Sequence, residues 1–255
     1  MKIRQIISKI KKILFVAFVI TFVTAVFLVL TNSYFFKVRD IRINENGKYT
    51  YDDVLEASGI SIGEELYGID VKKAENKIKE ELTYTKSVAI RQIPPSTLSI
   101  EIETDEGFFG IMIAGDYYII SDSFKVLDKT KNPVHGGVIT VRTNEIKKCY
   151  LGEKIEFSDG DVSGFLKEIV ELFKKDESGR LSAIKSIDIT NKFKVAMNYG
   201  DRFLVKFGIF ENIAPKITNV FEIMDERGDD DEGIIDATDG KTISFKYVEN
   251  IFGLN

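Results

Sequence analysis

The 255-residue sequence has one cysteine, one histidine and no acidic residue before Asp40. A lone cysteine, Cys149, excludes an intrachain disulfide and a cysteine metal cluster. Lys147 and Lys148 adjoin it, but a thiolate needs a base or a cation in contact, and the plainer role is a small buried apolar residue. A Ser-His-Asp triad would have to use His135, which stands in the turn-rich stretch Asn132–Gly137 and reads as a loop residue. Gly136-Gly137 and Gly152 make no phosphate-cradling pattern. The acidic run Asp229–Glu232 lacks the alternating ligands and distal glutamate of a calcium loop, so a solvated loop is expected. There is no internal repeat and no low-complexity segment. No catalytic residue, metal site, cofactor or small-molecule substrate is therefore expected, and the chain is not read as an enzyme.

What is present begins with Ile13–Leu30, eighteen consecutive uncharged and mostly apolar residues. At about 1.5 Å per residue they just span a hydrocarbon core of roughly 30 Å. Lys2, Arg4, Lys9, Lys11 and Lys12 precede them. Basic flanks stay on the cytoplasmic side, so a single-pass type II membrane protein is expected, with everything after the helix outside. A cleaved secretory signal would carry about 7–15 apolar residues and a small-residue cleavage site. Thr31–Phe36 offers no such site, and Tyr34, Phe35 and Phe36 suit the membrane boundary. Beyond Leu30, 30 basic residues face 40 acidic ones, a net charge of −10. That balance disfavours a nucleic-acid groove and electrostatic adhesion to anionic headgroups.

The outer part suits two domains, with a boundary near Thr104–Gly107. Phe36, Val38, Ile41 and Ile43 read as a strand whose parity breaks near Asp40, as at a bulge. Asn46-Gly47 marks a turn, Thr50 an N-cap, and Gly59 the end of a short helix. Val71, Ala74, Ile78 and Leu82 make one apolar stripe of a second helix that starts from Asp70. Val88 and Ile90 belong to a strand, Pro94-Pro95 break the chain, and Leu98, Ile100 and Ile102 alternate with polar residues. The order is β-α-α-β-β.

The remainder is rich in strands: Tyr117–Ile120, Lys125–Leu127, Val138–Val141, Ile184–Ile189, Phe193–Met197, Phe203–Phe207 and Thr242–Tyr247. Two helices interrupt them. Val162–Phe173 follows the turn and cap Asp159-Gly160-Asp161, and Asn212–Glu226 tolerates Pro215 in its first turn. The fold class expected is α+β: one membrane helix, a β-α-α-β-β domain, then a mixed β-rich domain with two helices.

These residues carry a resemblance. Phe36-x-Val38-x-x-Ile41-x-Ile43, Thr50-x-x-x-Val54, Ala57-Ser58-Gly59-Ile60, Gly63, Leu66, Ile69-Asp70, Ile78 and the stretch Ser87–Ile100 resemble the FtsQ/DivIB cell-division proteins in order and spacing. The resemblance covers residues 1–128 closely and the rest by architecture. Glu45, Thr104-Asp105-Glu106, Ser121 and Phe124 depart from the family's usual residues. It implies a POTRA domain at 35–104, after a tail 1–12 and a transmembrane helix 13–34, and before a β domain 105–250 and a tail 251–255. It also implies a non-enzymatic scaffold of the septum whose partners are small bitopic coiled-coil proteins, FtsL-like and FtsB/DivIC-like. A POTRA-type chaperone for translocating chains is the alternative, and an anchored cell-surface enzyme a more remote one.

A late strand can close a sheet and leave one side open to a partner's strand. Thr242–Tyr247 alternates Ile243, Phe245 and Tyr247 with polar residues, Lys246 among them. Asn219 and Glu222, on the preceding helix, complete the expected partner surface, with Phe245 and Tyr247 as exposed aromatic anchors.

Overall fold

The computed structural model describes residues 2–44, 47–133, 136–210, 213–228, 231–239 and 242–248. Glu45, Asn46, His135, Asn212, Asp229, Asp230 and the tail 251–255 lie outside the described residues. The protein is α+β. Helix α1, Lys2–Phe35, contains the one stretch among the described residues long and apolar enough to cross a membrane, Ile10–Leu28, and its side chains are exposed throughout. The chain forms two compact units, Met1–Thr104 and Asp105–Asn255.

After α1 the first unit builds a three-stranded sheet from β1 (Asp40–Ile43), β2 (Thr85–Ile93) and β3 (Thr97–Thr104). The order is β1-β3-β2, with β1 parallel and β2 antiparallel to the central strand. Helices α2 (Tyr51–Ser58) and α3 (Val71–Glu81) supply the other wall of its core. Ala74 and Ile78 are buried against Leu98, Ile100 and Ile102, with Val71 and Leu82 half-buried at the margins. Thr50 caps α2 reciprocally: Asp53 N–H donates to Thr50 Oγ1 at 3.3 Å, and Thr50 N–H donates to Asp53 Oδ2 at 2.8 Å. The donated bonds hold the Asp53 carboxyl below its ordinary range. Gly59 ends the helix at φ 67°.

The parity break near Asp40 is not a bulge. Residues 36–38 pair with a different segment, through Leu66 N–H to Phe36 O, Val38 N–H to Glu64 O and Gly63 N–H to Val38 O. From Asp40 the chain changes partner and runs in unbroken register along β3. A change of partner moves the buried side from one residue parity to the other, as a bulge would.

In the second unit nine strands form one sheet, in the order β14-β13-β12-β11-β10-β7-β4-β5-β6. Their ranges are β4 Phe109–Ile113, β5 Asp116–Ile120, β6 Val126–Thr130, β7 Ile139–Arg142, β10 Ile184–Asp188, β11 Val195–Tyr199, β12 Phe203–Gly208, β13 Gly233–Asp236 and β14 Ser244–Tyr247. A separate pair, β8 (Ile146–Lys148) and β9 (Glu156–Phe157), stands beside it. Register aligns Tyr118, Ile111, Val141, Ile187, Met197, Val205, Ile235 and Phe245 in one row on one face. The apolar sides of α4 (Gly160–Lys175) and α5 (Ile213–Asp225) share this row's core.

The strand expected at Phe193–Met197 starts at Val195 instead, and Phe193 is exposed in the preceding turn. Strands β4, β8, β9 and β13 were not expected from the sequence. Lys216 is buried within the core face of α5 because its Nζ donates to Phe207 O at 2.7 Å. Phe124, one of the departures from the family pattern, has φ 67°. Its ring packs near Phe109 and Phe157, which offsets a backbone conformation costly for a residue with a Cβ.

Candidate partner-binding edge

Strand β14 is the terminal strand of the nine-stranded sheet, antiparallel to β13. No other described strand lies beyond it. Opposed pairs are Gly233 with Tyr247, Ile234 with Lys246, Ile235 with Phe245 and Asp236 with Ser244. Val248 N–H donates to Glu232 O at 3.3 Å, one position past the ladder. Antiparallel bonding alternates by residue, so Ser244 and Lys246 turn their backbone groups to β13. Phe245 and Tyr247 turn theirs to the open side.

The side chains divide differently from the expectation. Ile243 and Phe245 are half-buried and pack on the core, Phe245 with its ring 6.2 Å from Phe203. Phe245 is therefore a core-edge residue and not an exposed anchor, because it ends the inward row. Ser244 and Lys246 are exposed on the opposite face. Tyr247 is 61% exposed, stacks edge-on against Phe245 at 4.8 Å, and donates its hydroxyl to Asp231 Oδ2 at 3.0 Å. Asp231 Oδ2 also accepts from Gly228 N–H at 2.9 Å, while Arg202 donates to the Asp231 and Gly228 carbonyls. The described end of the acidic run is thus a hydrogen-bonded brace for Tyr247.

Gly233 is what lets β14 lie so close. A Cβ there would come within 2.4 Å of Lys246 O and 2.5 Å of Phe245 Cε2. Arg227, two residues past α5, lies over the Phe245 ring at 4.6 Å, and its buried Nε–H meets no acceptor among the described residues. Asn219 and Glu222 are exposed on α5, and no hydrogen bond or ion pair among the described residues joins them to β14. Glu222 instead borders a cavity of about 380 Å³ between α4 and α5, where Arg180 holds Asp225 through two bonds of 2.7 and 3.0 Å. The brace, Gly233 and Arg227 were missed in the sequence. Only Gly233 left a signal, a glycine opening a short apolar pair.

The groups weighed for chemistry have other surroundings. Cys149 is half-buried, and desolvation pushes its thiol up to about 11. Lys147 and Lys148 reach Glu156, at 3.3 and 3.4 Å. No cluster of potential metal ligands occurs among the described residues.

Residues 36–103 match the model of the POTRA domain, FtsQ-type. The cell division protein DivIB of Clostridium botulinum is 25% identical over 239 residues, covering 93% of this chain and 91% of the relative. The domain match and relatives that cover most of the chain support the FtsQ/DivIB family. The cell division protein FtsQ of Corynebacterium glutamicum is 23% identical over 193 residues, 75% of this chain and 80% of its own length. DivIB of Clostridium acetobutylicum is 22% identical over 205 residues, 80% of each. The relatives are named cell division proteins, which supports a division role, and the apolar α1 accords with a membrane anchor.

Proposed function

We propose that this FtsQ/DivIB protein is a single-pass scaffold of the division machinery, with its basic tail cytoplasmic and its two outer units extracytoplasmic. Its second unit captures small bitopic coiled-coil division proteins, FtsL-like and FtsB/DivIC-like, by adding a partner strand to β14. The observation that carries this reading is the open side of β14, where Phe245 and Tyr247 present backbone donors and acceptors beside an exposed tyrosine. Lys246 and Ser244 border the added strand, and Asn219 and Glu222 extend the surface along α5.

The test compares two substitutions in full-length protein. Tyr247→Ala removes the ring and its bond to Asp231. Tyr247→Pro removes in addition an N–H on the open side, and proline is tolerated on an edge strand. Co-purification of the small partners from membranes is expected to fall with the alanine and to vanish with the proline, while circular dichroism stays the same. Equal capture by the two variants would refute strand addition. Normal capture by a fragment ending at Gly240 would move the partner site off β14 altogether. Heterogeneous unfolded chains in place of defined partners would favour the chaperone reading.

A further inference from the structure

Four large apolar side chains are exposed among the described residues 35–104: Phe35, Ile62, Tyr67 and Ile93. Singly scattered apolar residues are ordinary on a surface, but these share one end of the domain. Phe35 ends α1, and Phe36 follows it with no linker. The Phe36 ring packs at a tilt against Tyr67, 5.3 Å between centroids, and residues 36–38 are bonded to 63–66 through backbone groups. The end of β2 that carries Ile93 is fastened to the same place, by Gln92 Nε2 to Leu66 O at 2.7 Å. Beyond Ile93 come the exposed Pro94 and Pro95, and Ser96 O accepts from Arg39 N–H at 2.8 Å.

Ile62 is not a loose loop residue. It holds a corner of the turn Ser61–Glu64, with Gly63 at φ 96° and Glu64 N–H bonded to Ser61 O at 3.4 Å. Glu64 Oε1 accepts from Ser61 N–H at 3.0 Å, and Gly63 N–H binds Val38 O at 2.8 Å. The turn is thus cinched to the chain three residues after the end of α1, with Ile62 held outward at 65% exposure.

Phe35 lies seven residues past Leu28, about 10 Å along a helix. The headgroup layer is about 5–8 Å deep on each side of the hydrocarbon core. The chain leaves α1 near the outer edge of that layer, and Gly63, next to Ile62, is bonded to Val38 across one strand spacing.

We propose that Ile62, Tyr67, Ile93 and the Pro94-Pro95 corner form a foot that rests in the headgroup layer of the membrane that α1 itself spans. The proposal rests on the anchor reading but not on the partner surface. Lys37 lies opposite Glu65 in the pairing of this segment, and the exposed residues of the foot are apolar, so the contact is interfacial and needs no anionic lipid. Because α1 already holds the foot at the surface, the contact forms at high effective concentration and need not be strong. Its consequence is orientational. Leu66, two residues past the turn, accepts from Gln92 of β2, so resting the turn on the bilayer fixes the tilt of the POTRA sheet and the direction in which its edges face.

The test uses full-length protein, with Cys149→Ala, in phosphatidylcholine vesicles without other proteins. An environment-sensitive fluorophore is placed by Ile62→Cys, or by Lys86→Cys at the exposed far end of β2, about 20 Å along the strand. At position 62 the emission is expected to shift to the blue and to be quenched by lipid spin-labelled near the headgroup, several-fold more deeply than at position 86. Equal, water-like emission at both positions in protein that floats with the vesicles would overturn the foot and leave the anchor standing. Protein that fails to float would overturn both.

Discussion

Gly233→Ala should detach β14 while leaving the rest of the sheet folded. The added Cβ would meet Lys246 O at 2.4 Å and the Phe245 ring at 2.5–2.6 Å, about 1 Å inside ordinary contact. The nearest atom is backbone, so no side-chain rotation relieves it. Either β14 moves outward along its whole length, or it leaves the ladder. Forcing a methyl into a filled space costs about 1–3 kcal/mol. Strand β14 is held by a ladder of four residues, at about 1 kcal/mol net for each hydrogen bond, and by a half-buried Phe245. The two energies are of the same size, so an open state of β14 becomes populated. Hydrogen exchange measured on full-length protein in nanodiscs should show lost protection at the Ser244 and Lys246 amides. Met197 and Val205, in the middle of the sheet, should keep theirs. Uniform loss across β10–β12 would mean that β14 is integral to the sheet's cooperativity, and unchanged protection at 244–248 would show that the close approach is not limiting. If strand addition is the mode of capture, the same variant should also bind partners less well.

Ile78→Asp replaces a fully buried side chain of α3 and should lower stability by at least the about 2–5 kcal/mol of emptying such a site, with a buried charge in addition; a thermal transition unchanged by it would show the α3 face to be misassigned. Lys216→Ala should cost about 1–3 kcal/mol, because Phe207 O is left without its buried donor, as read by denaturant midpoint; Lys216→Met, which restores the stem but not the bond, should recover only part. Burial raises the folded Cys149 pKa from 9.0 to about 11, so its contribution to stability is complete below about pH 9 and lost as pH rises through about 11. Near pH 8 that shift leaves roughly a hundredfold less thiolate than a free cysteine has, and disulfide-reagent kinetics should be slow until denaturant is added.

Local signals were legible because they act over one helix turn or one hairpin. The Thr50 cap, the Gly59 stop, the stripe of Val71, Ala74, Ile78 and Leu82, and the alternation of Leu98, Ile100 and Ile102 each need only neighbours in sequence. The apolar run within α1 is decided by composition alone.

Tertiary structure decided what depends on partners far along the chain. Strand β13 follows an acidic run and holds only two large apolar residues; it exists because β12 pairs with it in parallel and Gly233 admits β14. The inward face of Phe245 follows from a register that crosses the sheet from Ile235. Lys216 sits inside because a carbonyl at the end of β12 awaits it. Phe36 and Val38 answer to residues 63–66, whereas Ile41 and Ile43 answer to β3, a change of partner that the sequence displays only as a slip in parity. Period and capping are properties of a short segment, and the sequence carries them in full. Strand order, edges and buried polar bonds are properties of pairs brought together by folding, and only the folded chain contains them.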